Sequence, residues 1–600
     1  MKFYHFLFVV IALFHFNVAK AEITIVRNQG QFDEAMTRIN NGEEMNILLK
    51  SRIYILKDNI KSSAPLFING NGSTILKYDD SYNLSNIVME TDRHYVYKTK
   101  SQLEAFALFF SIDGSIMKLS ETVDDSLKVN FVEGDIISPN VFSSGTDLKI
   151  PISQNLTHLK NRTFAKAFGY FDCGWETINF CLNKSDESYF YCTTINSCAT
   201  NNFQYDKDAY KKQIRFVLYN AELKPNCIYY DDTKVYVPKD QASVFVVNSL
   251  INRINKPSII ATSDIKLKNL HFIGLENVTI NSKKGSTCEI NDCIFKNSLG
   301  SGLTIIKENG EGVKVSQITR CVFLRCALFS STSVVLRSSF NNNICIIMKD
   351  CIVSRYPDGS VGYKNAIPSV AVYGDVSLIG NRIYNSCRGQ LGLNSGYIIA
   401  KNNFLYNTDA FNKECYRNYS NDWGLIYCNQ SYRNSDEAIN NKLHCILLEG
   451  NLLYGAYSYG GDARGVFIDD GRGDVKCWKN IVLKTQRYSI DARNASGRSA
   501  ASIRNQYIGN IVDNHYRLAA GVDVKGDNVP VVKKNIMITE QNNEIKNVNV
   551  EKEDVVFQLA QDYYLQNDIL FISKEMSKVL KRERLWRKVW QYIKIDSRLN

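Results

Sequence analysis

The sequence is poor in the features that mark zinc modules, membrane proteins and hairpin-based sheets. It has 16 Cys and 7 His but no Cys-x-x-Cys pair and no His/Cys grouping with the spacing of a zinc site. After the N-terminus no segment reaches about 18 uninterrupted apolar residues, so no later membrane-spanning helix is expected. No Asn-Gly turn joins the paired strands of the repeat described below, which argues against a sandwich built from hairpins.

The N-terminus has the pattern of a secretory signal peptide. Lys2 precedes an apolar run from Phe6 to Phe16, and Ala19-Lys20-Ala21 forms a small-x-small cleavage site. We therefore expect residues 1–21 to be removed and the protein to be secreted or periplasmic, the alternative being a buried N-terminal helix. The formal net charge of +11 would fall to +9 on removal. Such a surplus favours anionic partners modestly, or serves solubility alone.

The cysteines suit an oxidising compartment and fall into two groups. One irregular stretch, in which we expect some disulfides, contains Cys173, Cys181, Cys192, Cys198 and Cys227. The other cysteines lie in repeating strands, where they are expected to act as small buried hydrophobic residues.

A short phrase recurs from residue 265 onward: an apolar strand, a polar pair, a pivot that is usually Asn or Cys, and a second apolar strand. One example is Cys345-Ile-Ile-Met-Lys-Asp-Cys351-Ile-Val. The pivots fall at Cys293, Cys321, Cys351, Arg382, Asn403, Asn451 and Asn480. A coil of three short strands and three turns needs about 20 residues. The 21-residue step is then a bare coil, and the 48-residue step is one or two coils plus a loop.

This repeat predicts an all-β protein folded as a right-handed parallel β-helix, a solenoid. A single coil cannot bury its apolar side, whereas coils stacked about 4.8 Å apart bury a continuous inner column. An Asn at one corner can bond to the equivalent backbone groups of the next coil. A β-sandwich with regularly spaced strands is the alternative.

The remaining segments extend this plan. Residues 22–105 are expected to form an N-terminal cap, with a helix from Gln31 to Asn40, and the first coils. Residues 106–260 lose the repeat and are interpreted as an inserted β-rich subdomain, and the β-helix then occupies residues 261–540. Residues 541–600 are expected to be helical, with an apolar stripe from Ile572 to Ile593 and a basic opposite face. That helix either packs on the open end of the solenoid or binds a membrane surface or anions.

Three phrases go beyond a generic β-helix: Ile68-Asn-Gly-Asn-Gly-Ser-Thr-Ile75, Asp422-Trp-Gly-Leu-Ile-Tyr427 and Arg464-Gly-Val-Phe-Ile-Asp-Asp-Gly471. Together they resemble secreted right-handed β-helix proteins of the pectate-lyase-like superfamily. The resemblance is greatest to the glycoside-hydrolase-like branch, which carries patterns similar to D-x-G-A-I-Y and G-I-Y-x-D-D-G. Leu425 replaces the Ala of the first pattern and Phe467 the Tyr of the second. The resemblance implies cleavage of a polysaccharide or glycan.

Hydrolysis of a glycosidic bond needs two carboxyl groups on either side of it. Asp469 and Asp491 both follow an apolar Ile and lie 22 residues apart, close to one coil. We expect them side by side on the outer face of one sheet, where mutual repulsion would raise one pKa and leave an acid beside a base. Asp470 could orient either group or bind a sugar hydroxyl. Turn residues or a solvated ladder of aspartates are the alternative.

Other candidate site residues surround this pair. Aligning Gly424 with Gly465 puts Asp422 at the far end of its strand, where it would bind substrate or cap a turn; a shifted phase would instead pair it with Asp462. Arginines near Asp469 would recognise a carboxylate or sulfate on the glycan, or neutralise the aspartates; they are Arg464, Arg472, Arg487 and Arg493. Aromatic rings would stack on sugars or pack internally; they are Trp423, Tyr427, Tyr457 and Tyr459.

Three functions follow. The leading one is a glycoside hydrolase acting through Asp469 and Asp491 without a cofactor. The second is a polysaccharide lyase on an anionic glycan, using Ca²⁺ and a base such as Arg493, Arg464 or Lys476. The third is a non-catalytic glycan-binding surface protein. The expected partner is a polysaccharide or glycan rather than nucleic acid, with no stable membrane span and a monomeric chain.

Overall fold

Short strands of alternating apolar residues make up almost all of the regular structure. The computed structural model describes residues 22–77, 86–111, 114–128, 141–142, 145, 147–173, 176–195, 198–199, 213–241, 245–249, 257–328, 332–356, 367–386, 389–407, 424–428, 445–456, 463–469, 474–492, 505–512, 515–518, 531–533, 535–538, 555–558, 564–566 and 569–571. Every structural statement below concerns these residues.

The N-terminal part combines one helix with the first strands. In chain order the elements are β1 (Ile23–Val26), α1 (Gln29–Asn40), β2 (Met45–Leu49), β3 (Ile53–Ile55), β4 (Ile60–Ser62) and β5 (Leu66–Leu76). The Asn28 side chain caps α1 by accepting a hydrogen bond from the Gln31 N–H at 2.9 Å, so the helix begins two residues before the predicted start. Its buried face, which includes Phe32 and Ile39, joins the core of the solenoid.

A block of antiparallel strands follows. Its strands are β6 (Ile87–Glu90), β7 (His94–Lys98), β8 (Ala107–Ser111), β9 (Glu121–Lys128), β10 (Val141–Phe142), β11 (Asp147–Pro151), β12 (Phe168–Cys173), β13 (Glu176–Ser185), β14 (Tyr189–Thr194), β15 (Cys198–Ala199), β16 (Gln213–Tyr219), β17 (Tyr229–Tyr230), β18 (Lys234–Pro238) and β19 (Phe245–Ser249). Short 3-10 helices cover Gln154–Leu159 and Lys239–Gln241. One sheet has the order β11-β14-β13-β12-β16-β9 and another β17-β18-β7-β6, while β8 pairs with β19 and β10 with β15. Because β6 and β7 belong to this block, it begins before residue 106.

Parallel strands form nearly all of the rest of the described chain. They are β20 (Ile259–Ala261), β21 (Ile265–Ile273), β22 (Val278–Ser282), β23 (Cys288–Asn291), β24 (Ile294–Lys296), β25 (Leu303–Lys307), β26 (Ser316–Thr319), β27 (Val322–Leu324), β28 (Val334–Ser338), β29 (Ile346–Lys349), β30 (Ile352–Ser354), β31 (Val370–Tyr373), β32 (Val376–Ile379), β33 (Arg382–Tyr384), β34 (Leu391–Leu393), β35 (Ile398–Lys401), β36 (Phe404–Tyr406), β37 (Ile426–Cys428), β38 (Ile446–Glu449), β39 (Leu452–Ala456), β40 (Arg464–Ile468), β41 (Val475–Trp478), β42 (Ile481–Thr485), β43 (Tyr488–Ala492), β44 (Gln506–Ile508), β45 (Ile511–Val512), β46 (His515–Leu518), β47 (Val531–Lys533), β48 (Asn535–Ile538) and β49 (Val555–Gln558). An antiparallel pair, β50 (Tyr564–Gln566) and β51 (Ile569–Phe571), comes last.

These strands form a right-handed parallel β-helix, as the repeat predicted. Each coil gives two strands to a first wall, such as β38 and β39, and one to a second wall, such as β40. The second wall runs β4-β20-β22-β25-β28-β31-β34-β37-β40-β43-β46. Inward side chains stack from coil to coil, as in the column Ile290, Ile318, Met348, Leu378, Ala400, Leu448 and Cys477. The step from Asn403 to Asn451 is one coil plus an insertion, because β36 pairs directly with β39.

The predicted polar corner is present as a ladder of buried amides. The Asn403 backbone N–H and Nδ2 both donate to Asn451 Oδ1 at 2.9 Å, and Asn403 Nδ2 also donates to the Leu378 carbonyl at 3.0 Å. The same arrangement repeats at Asn381, Asn451, Asn480 and Asn510. In the earlier coils Cys293, Cys321 and Cys351 take this position. The pivot predicted at Arg382 is wrong by one residue, because β30 pairs Ile352 with Arg382 and leaves Asn381 at the corner.

The predicted roles of the cysteines are met for most described members of the repeat, while three of the five in the irregular stretch are unpaired. Most described cysteines of the repeat, such as Cys288 and Cys477, are buried in the core, and Cys445 is half-buried. Cys181, Cys192 and Cys227 are free thiols, whereas the side chains of Cys173 and Cys198 lie outside what the structure describes, so disulfides in this stretch stay a prediction for those two. Strand pairing explains why Cys181 and Cys192 are free. Cys192 lies opposite Leu182, so Cys181 and Cys192 point to opposite faces of their sheet and cannot be bridged.

The antiparallel block packs on the solenoid through a shared core. Phe109, Phe110 and Phe168 from the block cluster with Ile273 and Tyr356 from the solenoid. A buried polar contact lies beside them. The Gly114 carbonyl accepts from Asn297 Nδ2 at 3.0 Å and from Arg325 Nη2 at 2.9 Å, and Arg325 Nε donates to Asn297 Oδ1 at 2.9 Å.

At the two ends of the chain, most of the segments with predicted features lie outside the described residues. Residues 1–21, the expected signal peptide, and the apolar stripe from Ile572 to Ile593 lie outside the described residues. Within the C-terminal segment expected to be helical, the described parts are the strands β49, β50 and β51. Among the described helices, none has the length and apolar character to cross a membrane.

Candidate active site

The candidate site lies on the outer face of the second wall, at β37, β40 and β43. Val466 and Ile468 point into the core, as do Ile490 and Ala492 on the next coil. Because side chains alternate along a strand, Phe467 and Asp491 point outward. The strand register places Phe467 between Tyr427 and Asp491.

A buried ion pair forms the base of the site. Arg464 Nε donates a hydrogen bond to Asp491 Oδ2, with the two side chains 2% and 0% exposed. The Arg464 guanidinium also lies over the Phe467 ring, 4.1 Å from its centroid. Removing two charges from water is costly, and this pairing is what makes burial of Asp491 tolerable. Of the three uses expected for Arg464, which are glycan recognition, neutralisation of an aspartate and action as a lyase base, the geometry has it neutralising an aspartate.

Asp469 is the carboxylate of this group that remains half-exposed. It follows β40 directly, and its backbone N–H donates to the Cys428 carbonyl at 3.0 Å, so it continues the ladder. The Tyr427 hydroxyl donates to Asp469 Oδ2 at 2.7 Å. The Tyr427 ring is buried and packs at 5.6 Å from Phe467. Tyr427 therefore orients Asp469, and its ring is not open to a sugar.

The expected side-by-side placement of Asp469 and Asp491 is wrong. The register pairs Asp491 with Phe467, so Asp469 lies on the same face but two residues farther along and one coil away. At 3.3 Å per residue and 4.8 Å per coil, their backbones are separated by about 8 Å. Shifting a strand by two residues leaves its inward pattern unchanged, so alternation alone could not distinguish the two registers.

The alignment of Gly424 with Gly465 is also off by one residue. Ile426 pairs with Val466, which brings Gly424 to the position of Arg464. Six of the predicted site residues lie outside the described residues: Asp422, Trp423, Asp462, Asp470, Arg472 and Arg493. Tyr457 and Tyr459 lie outside them as well. Arg487 is described and lies over the Tyr488 ring at 5.2 Å.

Sequence reasoning missed two features of the site. It did not foresee that Tyr427 would hold Asp469, or that Phe467 would connect Arg464 to Tyr427. A partial signal was present, because each phrase runs from a Gly into apolar residues that reach an aromatic ring, at Tyr427 and at Phe467, but aligning the two glycines gives the wrong register. In the part of the chain described here, no three His, Cys, Asp or Glu side chains are grouped so as to hold a metal ion.

Comparisons with known proteins find similarity in structure alone. No protein-family model matches the chain, and a search of curated proteins gives no match. A solved structure described as a glycoside hydrolase has 10% identity and a TM-score of 0.41, over 88% of this chain and 94% of that one. The catalytic unit of the GH87 alpha-1,3-glucanase from Streptomyces thermodiastaticus strain HF3-3 has 9% identity and a TM-score of 0.25, over 73% and 92%. The Agl-KA catalytic domain has 9% identity and a TM-score of 0.23, over 79% and 99%.

Proposed function

We propose that the protein is a secreted glycan-cleaving enzyme of the glycoside hydrolase type, with Asp469 as a carboxyl group that transfers a proton during cleavage. The observation that carries this proposal is the half-exposed Asp469 carboxylate, held by the Tyr427 hydroxyl at 2.7 Å on the outer face of the solenoid. A general acid or base must combine access to substrate with a defined orientation, and Asp469 has both.

Asp491 takes a different part in the proposal from the one the sequence indicated. Its side chain is fully buried and bonded to Arg464, so it cannot touch a glycan as it stands. We assign Arg464 and Asp491 as positioning residues, which hold Phe467 and, through it, Tyr427. We propose Asp470 or Asp422 as the second carboxyl group that hydrolysis needs.

The test is a screen of the purified protein against neutral and acidic polysaccharides, followed by variants on the best substrate. Asp469→Asn should lower kcat by at least about 100-fold with an unchanged melting temperature, because it removes a proton-transfer group without a change of shape. The matched control is Asp350→Asn, which alters an exposed aspartate beyond β29 on the first wall and should leave kcat unchanged.

The products distinguish the proposal from its alternatives. New reducing ends without the absorbance of a carbon–carbon double bond support a hydrolase. That absorbance, together with loss of activity on adding EDTA, would replace the hydrolase by a lyase. Full activity of Asp469→Asn would overturn the assignment of Asp469, and binding without cleavage of any glycan would leave a binding protein.

A further inference from the structure

A row of outward side chains runs along the second wall and leads to Asp469. Ile306 pairs with Arg337, and Arg337 with Tyr373 on the next coil. Val372 pairs with Leu393, which places Asn394 beside Tyr373. The pairings through Cys428 then bring the row to Asp469. Tyr373 and Asn394 therefore occupy equivalent positions on adjacent coils. Asp469 occupies the same position two coils beyond Asn394.

Arg337 and Tyr373 form an accessible cation–aromatic pair on this row. The Arg337 guanidinium lies over the Tyr373 ring at 4.7 Å from its centroid. Arg337 is exposed, Tyr373 is half-buried, and the neighbouring Ile306 is 42% exposed. Among the described residues no carboxylate forms an ion pair with Arg337, in contrast to the buried Arg464. The charge of Arg337 is therefore available to a ligand.

The spacing of the coils relates this pair to the candidate active site. Three coils separate Tyr373 from Asp469 and four separate Arg337 from it, about 14 Å and about 19 Å at 4.8 Å per coil. A monosaccharide bound at Asp469 cannot reach so far, whereas a glycan chain lying along the solenoid axis can. Contacts at this distance strengthen binding of long chains without touching the bond that breaks.

We propose that Arg337 and Tyr373 form a binding subsite for an anionic sugar unit several units from the bond cleaved at Asp469. The inference rests on the proposed function and adds a substrate class to it. A guanidinium presents paired N–H donors that match a carboxylate or sulfate, and stacking on Tyr373 holds its plane in place. The same tyrosine offers apolar surface to the adjoining sugar ring. A glycan bearing uronate or sulfate groups is the ligand this chemistry fits.

Binding is measured by calorimetry on the Asp469→Asn protein, so that substrate persists, with polygalacturonate, dextran sulfate and neutral dextran as probes. Arg337→Ala should weaken binding of polygalacturonate or of dextran sulfate about tenfold, and it should leave binding of neutral dextran unaffected. Arg337→Lys should recover part of the loss, because it keeps the charge without the planar fork. The control is Lys268→Ala, which removes an exposed cation from the first wall and should have no effect.

Kinetics of the otherwise unaltered enzyme separate this subsite from the catalytic group. Arg337→Ala should raise KM for the long acidic polymer and leave kcat, and cleavage of short oligosaccharides, unchanged. Unchanged affinity of Arg337→Ala for both acidic polymers would overturn the subsite, as would an equal loss with neutral dextran. If Asp469→Asn still cleaves while Arg337→Ala binds weakly, the catalytic assignment fails and the subsite stands.

Discussion

At the scale of single residues, the Arg464–Asp491 pair shows how burial decides what a charged side chain can do. Both residues looked like surface groups in the sequence, yet they are 2% and 0% exposed and bond to each other. A buried pair contributes little net stability against apolar replacements, but breaking it leaves one charge stranded. Its value here is geometric, because it fixes the ring on which Tyr427 packs.

Asp491→Asn should lower the free energy of unfolding by about 3–5 kcal/mol, because the buried Arg464 guanidinium would lose the carboxylate to which it is bonded. Urea unfolding at neutral pH measures the change. The control is Asp292→Asn, which breaks the exposed pair between Asp292 and Arg320 and should cost at most about 1 kcal/mol. Equal losses for the two variants would show that burial of Asp491 is unimportant.

Glu276 is a second buried charge, and its environment differs. Burial raises its pKa from 4.5 to about 7, despite hydrogen bonds from Ser298 Oγ and the backbone N–H groups of Leu299 and Gly300. The folded state therefore holds a proton that the unfolded state has lost between those two pH values. Stability from this group is fully present below about pH 4.5 and is lost as the pH rises through about 7.

Glu276→Gln should flatten the dependence of the protein's stability on pH. Melting temperatures measured at intervals across that range should fall with rising pH more steeply in the unaltered protein than in the variant. Other groups titrate equally in both proteins, so the difference between the two curves isolates Glu276. Parallel curves would contradict the raised pKa.

At the scale of elements, the Asn ladder ties each coil to the next. The Asn451 Oδ1 accepts from both the backbone N–H and the Nδ2 of Asn403, and its own Nδ2 donates to the Ala400 carbonyl. All of these groups are shielded from water, so the side-chain amide is what satisfies them. The preceding Cys coils have no such amide and rely on apolar packing and weak thiol bonds.

Asn451→Ala should destabilise the protein by about 1–3 kcal/mol, because donors of Asn403 would be left buried without an acceptor. Thermal or urea unfolding would report the loss. Asn281→Ala serves as the comparison, since Asn281 is exposed in β22 and its truncation should change stability by about 0.5 kcal/mol or less. A negligible effect at Asn451 would mean that the ladder is dispensable.

At the scale of the whole molecule, the antiparallel block and the solenoid share one apolar cluster and one buried polar contact. Arg325, on the turn after β27, reaches the Gly114 carbonyl at 2.9 Å. The adjacent Asn297 reaches the same oxygen at 3.0 Å. These bonds anchor the strand region around β8 to the coils that lead toward the candidate active site.

Arg325→Ala should loosen this attachment and cost about 1–3 kcal/mol, because it removes donors from two buried acceptors. Hydrogen exchange should then rise around residues 107–119 before it rises in the inner column. Arg320→Ala, five residues earlier on an exposed surface, is the matched control and should leave exchange in that stretch unaltered. Uniform exchange changes throughout the chain would indicate global destabilisation instead.

The fold was accessible from the sequence because its cause is local and repeated. Each coil needs apolar residues at alternate positions and a polar corner, and both recur often enough to be read without knowledge of long-range contacts. The pattern placed this corner at Arg382 instead of Asn381, because the apolar strands on either side mark the turn but not which residue stands at its corner. The extent of the antiparallel block was harder to predict, because β7 pairs with β18 across more than one hundred intervening residues.

The sequence by itself determined that the chain stacks coils with alternate apolar residues inside, and it singled out Tyr427, Arg464, Asp469 and Asp491, which lie together at β37, β40 and β43. Only the tertiary structure decided the register, and with it that Asp491 is buried against Arg464 whereas Asp469 is held half-exposed by Tyr427. The physical reason is that alternation defines the face of a strand but not its alignment with its neighbour. That alignment depends on packing between coils distant in the chain.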